Sequence, residues 1–184
     1  MSHPYCSYVA TLVDENDVDK IYHDLHYGVR IEDDNELFCR LVMEINQAGL
    51  SWHTILVKEK NFRKAYHNFD IKKVAKYTEK DFERLMGDAG IIRNRLKINA
   101  SIYNAKQLLT IQKEYGSFRN WLDKEGDRLE VVGYGGNDLK KEWVKLFKKN
   151  FKFVGGEIVG EFLMSINMLP GSHGSECFRA RSLD

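Results

Sequence analysis

A chain of 184 residues suits one domain with a buried core of its own, and a formal net charge of +1 announces no polyanion partner. No apolar run reaches membrane-spanning length, and the N-terminus lacks a basic stretch followed by an apolar one, so neither a membrane span nor a secretory signal is expected. Three cysteines, an odd number without a CxxC pair, argue against a disulfide framework and for a reducing compartment.

Taken in chain order, the first strong periodicity spans residues 34–49. Leu37, Phe38, Leu41, Val42, Ile45 and Ala48 recur at helical spacing, with Asp33 or Asp34 available as N-cap. Cys39 lies inside that run and reads as a helix residue in or near the core. Shorter helices are expected over 53–66 and 71–77. Thr78 and Asp81 resemble a capping box, with Asp where Glu or Gln is usual, opening a helix through Met86. Gly87 and Gly90 then punctuate the chain before a long helix over about 92–114. Ser117 can cap a segment through Lys124, and Asn137 or Asp138 one through Lys149. A last apolar helix is expected from about Glu157 to Met168, stopped by Pro170 and Gly171. The glycine-rich stretch 129–136 reads as a loop. With two prolines, no alternating strands and no internal repeat, the fold class is all-α, one domain over residues 1–184.

Potential metal ligands are split between the two ends. Cys6 and His23 lie near the start and His173 and Cys177 near the finish, a donor set that suits tetrahedral zinc. His173 and Cys177 are four apart, so one helical turn or a tight loop can aim both at one ion. Four protein ligands leave no open position, which makes the site a structural clip rather than a catalytic centre. His3 or His26 could stand in for His23, and a chance grouping stays open on spacing alone.

Three basic segments stand against the neutral total: residues 58–64, 93–97 and 140–152, the first and third interleaved with Phe62, Trp143, Phe147 and Phe151. A solvated helix face accounts for any one of them. The middle segment follows Gly87-Asp88-Ala89-Gly90 in a helix–hairpin–helix layout, in which glycine N–H groups and a helix start can hold a phosphate without reading sequence. Arg93, Arg95 and Lys97 would add long-range charge. The densest chemistry is residues 44–52. Glu44 falls at the edge of the apolar stripe, so its carboxylate is either paired, with Arg40 at hand, or kept for a ligand. The helix breaks at Gly49, which puts Leu50 on a turn with Trp52 beyond it. Leu50 could be a wedge entering a base stack or a buried anchor, and Trp52 a wall for a flat ring or a core residue.

Several segments together resemble the 3-methyladenine DNA glycosylase I family. Tyr22-His23-Asp24 with Tyr27-Gly28-Val29 is similar to its Tyr-His-Asp…Trp-Gly-Val signature, and residues 47–52 (QAGLSW), 88–93 (DAGIIR), 151–155 (FKFVG) and the closing His173…Cys177 match in the same order. The resemblance implies a helix–hairpin–helix glycosylase fold with one structural zinc on Cys6, His23, His173 and Cys177. It implies that Glu44, Tyr22 and Trp52, with Tyr27 in place of Trp, line a pocket for an extruded base. Gln47, Gly49, Leu50, Gly90, Arg93 and Arg95 would contact DNA, with Leu50 filling the gap in the duplex. The implied activity is monofunctional removal of an alkylated base, 3-methyladenine foremost, from double-stranded DNA by a cytoplasmic, monomeric bacterial repair enzyme without membrane association. No lysine stands at a motif position for a Schiff base.

The chain also departs from the family pattern. Asp19 occupies the place of a second tyrosine; Glu157, Gly160 and Glu161 replace Thr and Tyr-Ser in the last helix; residues 131–139 lack a Thr/Ser-rich loop. A smaller aromatic cage with extra carboxylates opens lesion specificity. Two other readings therefore stand beside the enzyme: a non-catalytic DNA-binding relative that keeps clip and hairpin, and a zinc-stabilised helical scaffold with no nucleic-acid role.

Overall fold

A computed structural model describes residues 3–180, and among these there are eleven α-helices, one short 3-10 turn and no strand. The helices are α1 (Pro4–Val9), α2 (Val18–Leu25), α3 (Asp34–Gln47), α4 (Trp52–Val57), α5 (Glu59–Ala65), α6 (Ile71–Val74), α7 (Glu79–Gly87), α8 (Arg95–Tyr115), α9 (Phe118–Val131), α10 (Gly136–Asn150) and α11 (Gly156–Ser165).

Helix α3 is the axis of the molecule. Leu37, Phe38, Leu41, Val42 and Ile45 are fully buried, and α4, α8, α9 and α11 all pack on it. Asp33 caps its start by accepting from the Glu36 N–H. Asp34 instead reaches across to accept from the N–H groups of Phe118 and Arg119 at 2.8 and 3.1 Å, which satisfies the free donors that open α9. Cys39 is buried on α3 and burial pushes its thiol well above the usual range. A second, aromatic core joins α9, α10 and α11 through Phe118, Trp121, Trp143, Phe147 and Phe162. The aromatic residues interleaved with the lysines of α10 are therefore core side chains.

Several boundaries differ from the sequence reading, each for a local reason. Residues 53–66 form two helices broken at Lys58, whose Nζ reaches the carbonyls of Ala89 and Gly90 at 3.4 Å each. Of the segment expected as a loop over 129–136, residues 132–135 form the connection, with Gly133 at φ +84°, while α9 runs on to Val131 with Leu129 buried and α10 starts at Gly136. The cap of α10 is Gly135, not Asn137 or Asp138. Helix α8 starts at Arg95 because the Asn94 side chain accepts from the N–H groups of Leu96 and Lys97. Helix α6 is a single turn, and α11 ends at Ser165. Helices α1 and α2 are too short for periodicity to announce them, yet they carry the first two metal-type ligands.

Candidate functional site

Cys6, His23, His173 and Cys177 come together, with all four donor atoms within 4.8 Å of one another. The S···N separations are 3.7 Å (Cys6 Sγ to His173 Nδ1), 3.6 Å (Cys177 Sγ to His173 Nδ1) and 3.6 Å (Cys177 Sγ to His23 Nε2). A zinc ion about 2.3 Å from sulfur and about 2.0 Å from nitrogen spans tetrahedral S···N edges of about 3.6 Å, so the donor set fits that ion. The outer nitrogens are held as metal-bound histidines usually are: His23 Nδ1 by Asp24 at 2.7 Å and His173 Nε2 by the Tyr27 carbonyl at 3.0 Å. Neither His3 nor His26 belongs to the group.

Beside this cluster lies a pocket of about 520 Å³ walled by Tyr5, Tyr22, Tyr27 and Trp52, with Glu44 and Glu161 among its polar groups. The Tyr22 ring sits 5.1 Å from Trp52 and 5.8 Å from Tyr27, and Tyr5 stands edge-on to Tyr27 at 5.7 Å. Glu44 is 4 % exposed and makes no hydrogen bond or ion pair with any described side chain. Arg40, the partner that spacing offered, donates instead to the Tyr22 hydroxyl at 2.7 Å, its guanidinium over the Tyr22 ring. Burial pushes the Glu44 carboxyl up to about 8, with Arg40 opposing and Glu161 adding to the rise. The Trp52 Nε1–H is likewise buried without a partner. A desolvated acid lining a slot walled by aromatic rings is an arrangement that can accept a flat polar ring.

At the end of α3, Gly49 at φ +84° turns the chain and leaves Leu50 39 % exposed. Gln47 closes the turn from inside, its Nε2 donating to the Leu50 carbonyl at 3.0 Å, and also lines the pocket. Ser51 then caps α4, which aims Trp52 at the slot. Lys97, read from the sequence as surface charge, is buried and donates to the carbonyls of Asn46 and Ala48 at 2.8 and 2.7 Å. It caps the end of α3 rather than facing solvent, and so ties the hairpin helix to the Leu50 turn. In the hairpin the Gly90 N–H is taken by the Asp88 carboxylate at 2.7 Å, an Asx turn, so that group is not a free donor. Arg93 and Arg95 are exposed, the latter with its guanidinium 4.7 Å over Phe82. Three of the five α10 lysines are paired, Lys140 with Glu157, Lys141 with Asp138 and Lys145 with Glu142.

The family model described as Methyladenine glycosylase matches residues 12–180. The chain belongs to the methyladenine glycosylase family. It is 36 % identical over 157 residues to DNA-3-methyladenine glycosylase 1 of Escherichia coli, covering 80 % of this chain and 84 % of the relative. It is 33 % identical over 169 residues to DNA-3-methyladenine glycosylase of Haemophilus influenzae, covering 85 % and 89 %. Among solved structures, 3-methyladenine DNA glycosylase I from Staphylococcus aureus, studied for its recognition of 3-methyladenine, superposes with a TM-score of 0.81 at 29 % identity over 97 % of each chain.

Seen in the structure, the departures from the family pattern are local rebuilding. Asp19, in the place of a tyrosine, is buried and accepts from the Tyr5 hydroxyl at 3.1 Å and pairs with His53 at 2.5 Å. A ring from α1 thereby lines the pocket, which no motif in the sequence signalled. Gly160 is covered by the stem of Lys140, which lies 2.5 Å from where a Cβ would stand. Lys140 in turn pairs with Glu157 at 3.3 Å. The carboxylate of Glu161 accepts from the Tyr27 hydroxyl at 3.3 Å.

Proposed function

We propose that this family member is a monofunctional DNA glycosylase that extrudes an alkylated purine, 3-methyladenine foremost, from duplex DNA and hydrolyses its N-glycosidic bond. The observation that carries the reading is Glu44: a buried carboxyl without a partner, facing an aromatic pocket of purine size in a chain of this family. N3-alkylation puts positive charge on the base, so its bond to the sugar is already activated and the site works mainly by binding and orienting. Tyr22, Trp52 and Tyr27 supply the faces on which the base stacks, each stack being worth on the order of 1–3 kcal/mol. Glu44 accepts from the exocyclic amine and complements the charge, and the arriving cation draws its pKa back down so that it ionises. Leu50 fills the space the base vacates, offsetting an extrusion cost of a few kcal/mol. The base departs with the bonding electrons and becomes neutral, while water bonds to the anomeric carbon and sheds a proton. No lysine lines the pocket, in keeping with hydrolysis rather than a Schiff-base route.

In the same reading Cys6, His23, His173 and Cys177 hold one structural zinc that ties α1 and α2 to the C-terminal segment. With no open position, its contribution is to hold the backbone of Tyr27 through His173, and so one wall of the pocket. We take the enzyme to be a single-domain monomer of a reducing compartment, the cytoplasm, consistent with three cysteines of which none is in a disulfide; no helix of the described residues is long and apolar enough to cross a membrane. The test is release of free base from methylated duplex DNA by the wild type and by Glu44→Gln. Release of 3-methyladenine that collapses in the variant supports reaction and role together. DNA retention without any release would point to the non-catalytic relative instead.

A further inference from the structure

The pocket holds a second carboxylate that the mechanism above does not use. Glu161 lies half-buried on α11, one turn after Glu157, and both line the slot with Glu44. Their surroundings differ. Glu157 is exposed and has Lys140 as its ion-pair partner at 3.3 Å. Glu161 has one hydrogen bond, from the neutral phenol of Tyr27 at 3.3 Å, and no ion pair among the described residues. Glu44, 4 % exposed, has neither among the described residues. The nearest cations bond to neither acid: Arg40 donates to the Tyr22 hydroxyl and Lys140 pairs with Glu157, so each eases the charge only from a distance. His3, the remaining titratable group on that side, lines the same slot with its buried Nδ1 unpartnered.

Two acids line one aromatic slot, and among the described residues no cation is bonded to either, which leaves the site electrostatically incomplete. In a desolvated pocket a like charge raises the cost of ionising either acid, and a ligand cation lying between them relieves it for both. Rings that present their π faces favour the same kind of guest. Burial holds the Glu161 carboxyl above the usual carboxylate range, in the same direction as Glu44.

We infer that Glu161 is a second base-recognition carboxylate, which makes this pocket select for positive charge on the base beyond what Glu44 achieves alone. This rests on the base-pocket reading above. It assigns Glu161 a specificity role, with the cationic purine held between two acids rather than against one.

The experiment is equilibrium binding of two free purines to the full chain, followed by tryptophan fluorescence. Trp52 is the sole tryptophan in the slot, since Trp121 and Trp143 are buried in the aromatic core. The probes are 3,9-dimethyladeninium, cationic at every pH used, and neutral 9-methyladenine. Glu161→Gln keeps an acceptor for the Tyr27 hydroxyl and removes the charge; Glu130→Gln, an exposed acid outside the slot, is the control. The expected result is that the preference for the cation over the neutral purine falls about tenfold in Glu161→Gln and stays within about twofold in Glu130→Gln. A purely structural role would weaken both purines alike and leave the ratio unchanged, which overturns the inference while the base-pocket reading stands. If the wild type binds neither purine, the base-pocket reading falls and this inference with it. An equal loss of preference in Glu130→Gln also overturns it, because the effect would then be diffuse charge and not Glu161.

Discussion

The metal-type cluster and the aromatic pocket share Tyr27 as a neighbour, yet they are finished to different degrees. In the cluster each histidine has an outer partner for its second nitrogen, and the four donors converge within 4.8 Å. In the pocket a buried acid and an indole N–H have no partner. A group whose polar needs are met within the protein stabilises it, and one left unmet costs stability and is retained for a ligand. In the function proposed above, the contrast separates a cluster that would hold the fold from a pocket that would act.

The largest expected effect tests the stabilising side. Cys177→Ser removes a ligand, so zinc measured by elemental analysis should be absent and the Tm should fall by more than about 10 °C, since a kcal/mol shifts a domain of this size by about 2–4 °C. A zinc-free wild type with an unchanged Tm would erase the contrast. Next comes the acting side. Glu44→Gln should lower kcat/KM for base release about 10- to 100-fold, the worth of a charge-assisted hydrogen bond, with a Tm equal to or above wild type. The sign with pH follows from an acid whose folded pKa, about 8, lies above its unfolded value. The folded state holds that proton more tightly, so the contribution of Glu44 to stability is fully present below about pH 4.3 and is lost as pH rises through about 8. Wild-type Tm should therefore decline relative to Glu44→Gln over that window, while wild-type kcat/KM climbs towards pH 8 and the variant's profile stays flat. Opposite slopes would mean that Glu44 is paired after all.

Two smaller effects sharpen the link between hairpin and pocket. Lys97→Met leaves the carbonyls of Asn46 and Ala48 without their cap, and the Tm should fall by about 3–10 °C, with base release from duplex DNA falling further than free-base binding. Equal losses in both assays would show that Lys97 acts on overall stability and not on the Leu50 turn. Arg93→Ala and Arg95→Ala should each weaken DNA binding evenly across sequences and lower the salt slope by about one, with little change in Tm. A salt slope unmoved by both would remove the hairpin from the DNA interface.

Much of this was legible before folding. The stripe from Leu37 to Ile45 demanded a buried helix, the Thr78–Asp81 box and Ser117 marked helix starts, and the donor types at 6, 23, 173 and 177 spoke for zinc. Local chemistry announces itself in local sequence, because caps and periodic stripes act within one or two turns. What only the tertiary structure decided lies between segments far apart in the chain. The closure of donors 167 residues apart, Arg40 turning from Glu44 to Tyr22, Lys97 withdrawing from the surface, and the arrival of Tyr5 in the slot are of this kind. Whether a charged side chain meets water, an ion-pair partner or an empty slot depends on the faces packed around it. That environment, and not the residue type, sets the cost of its charge and therefore what it is free to bind.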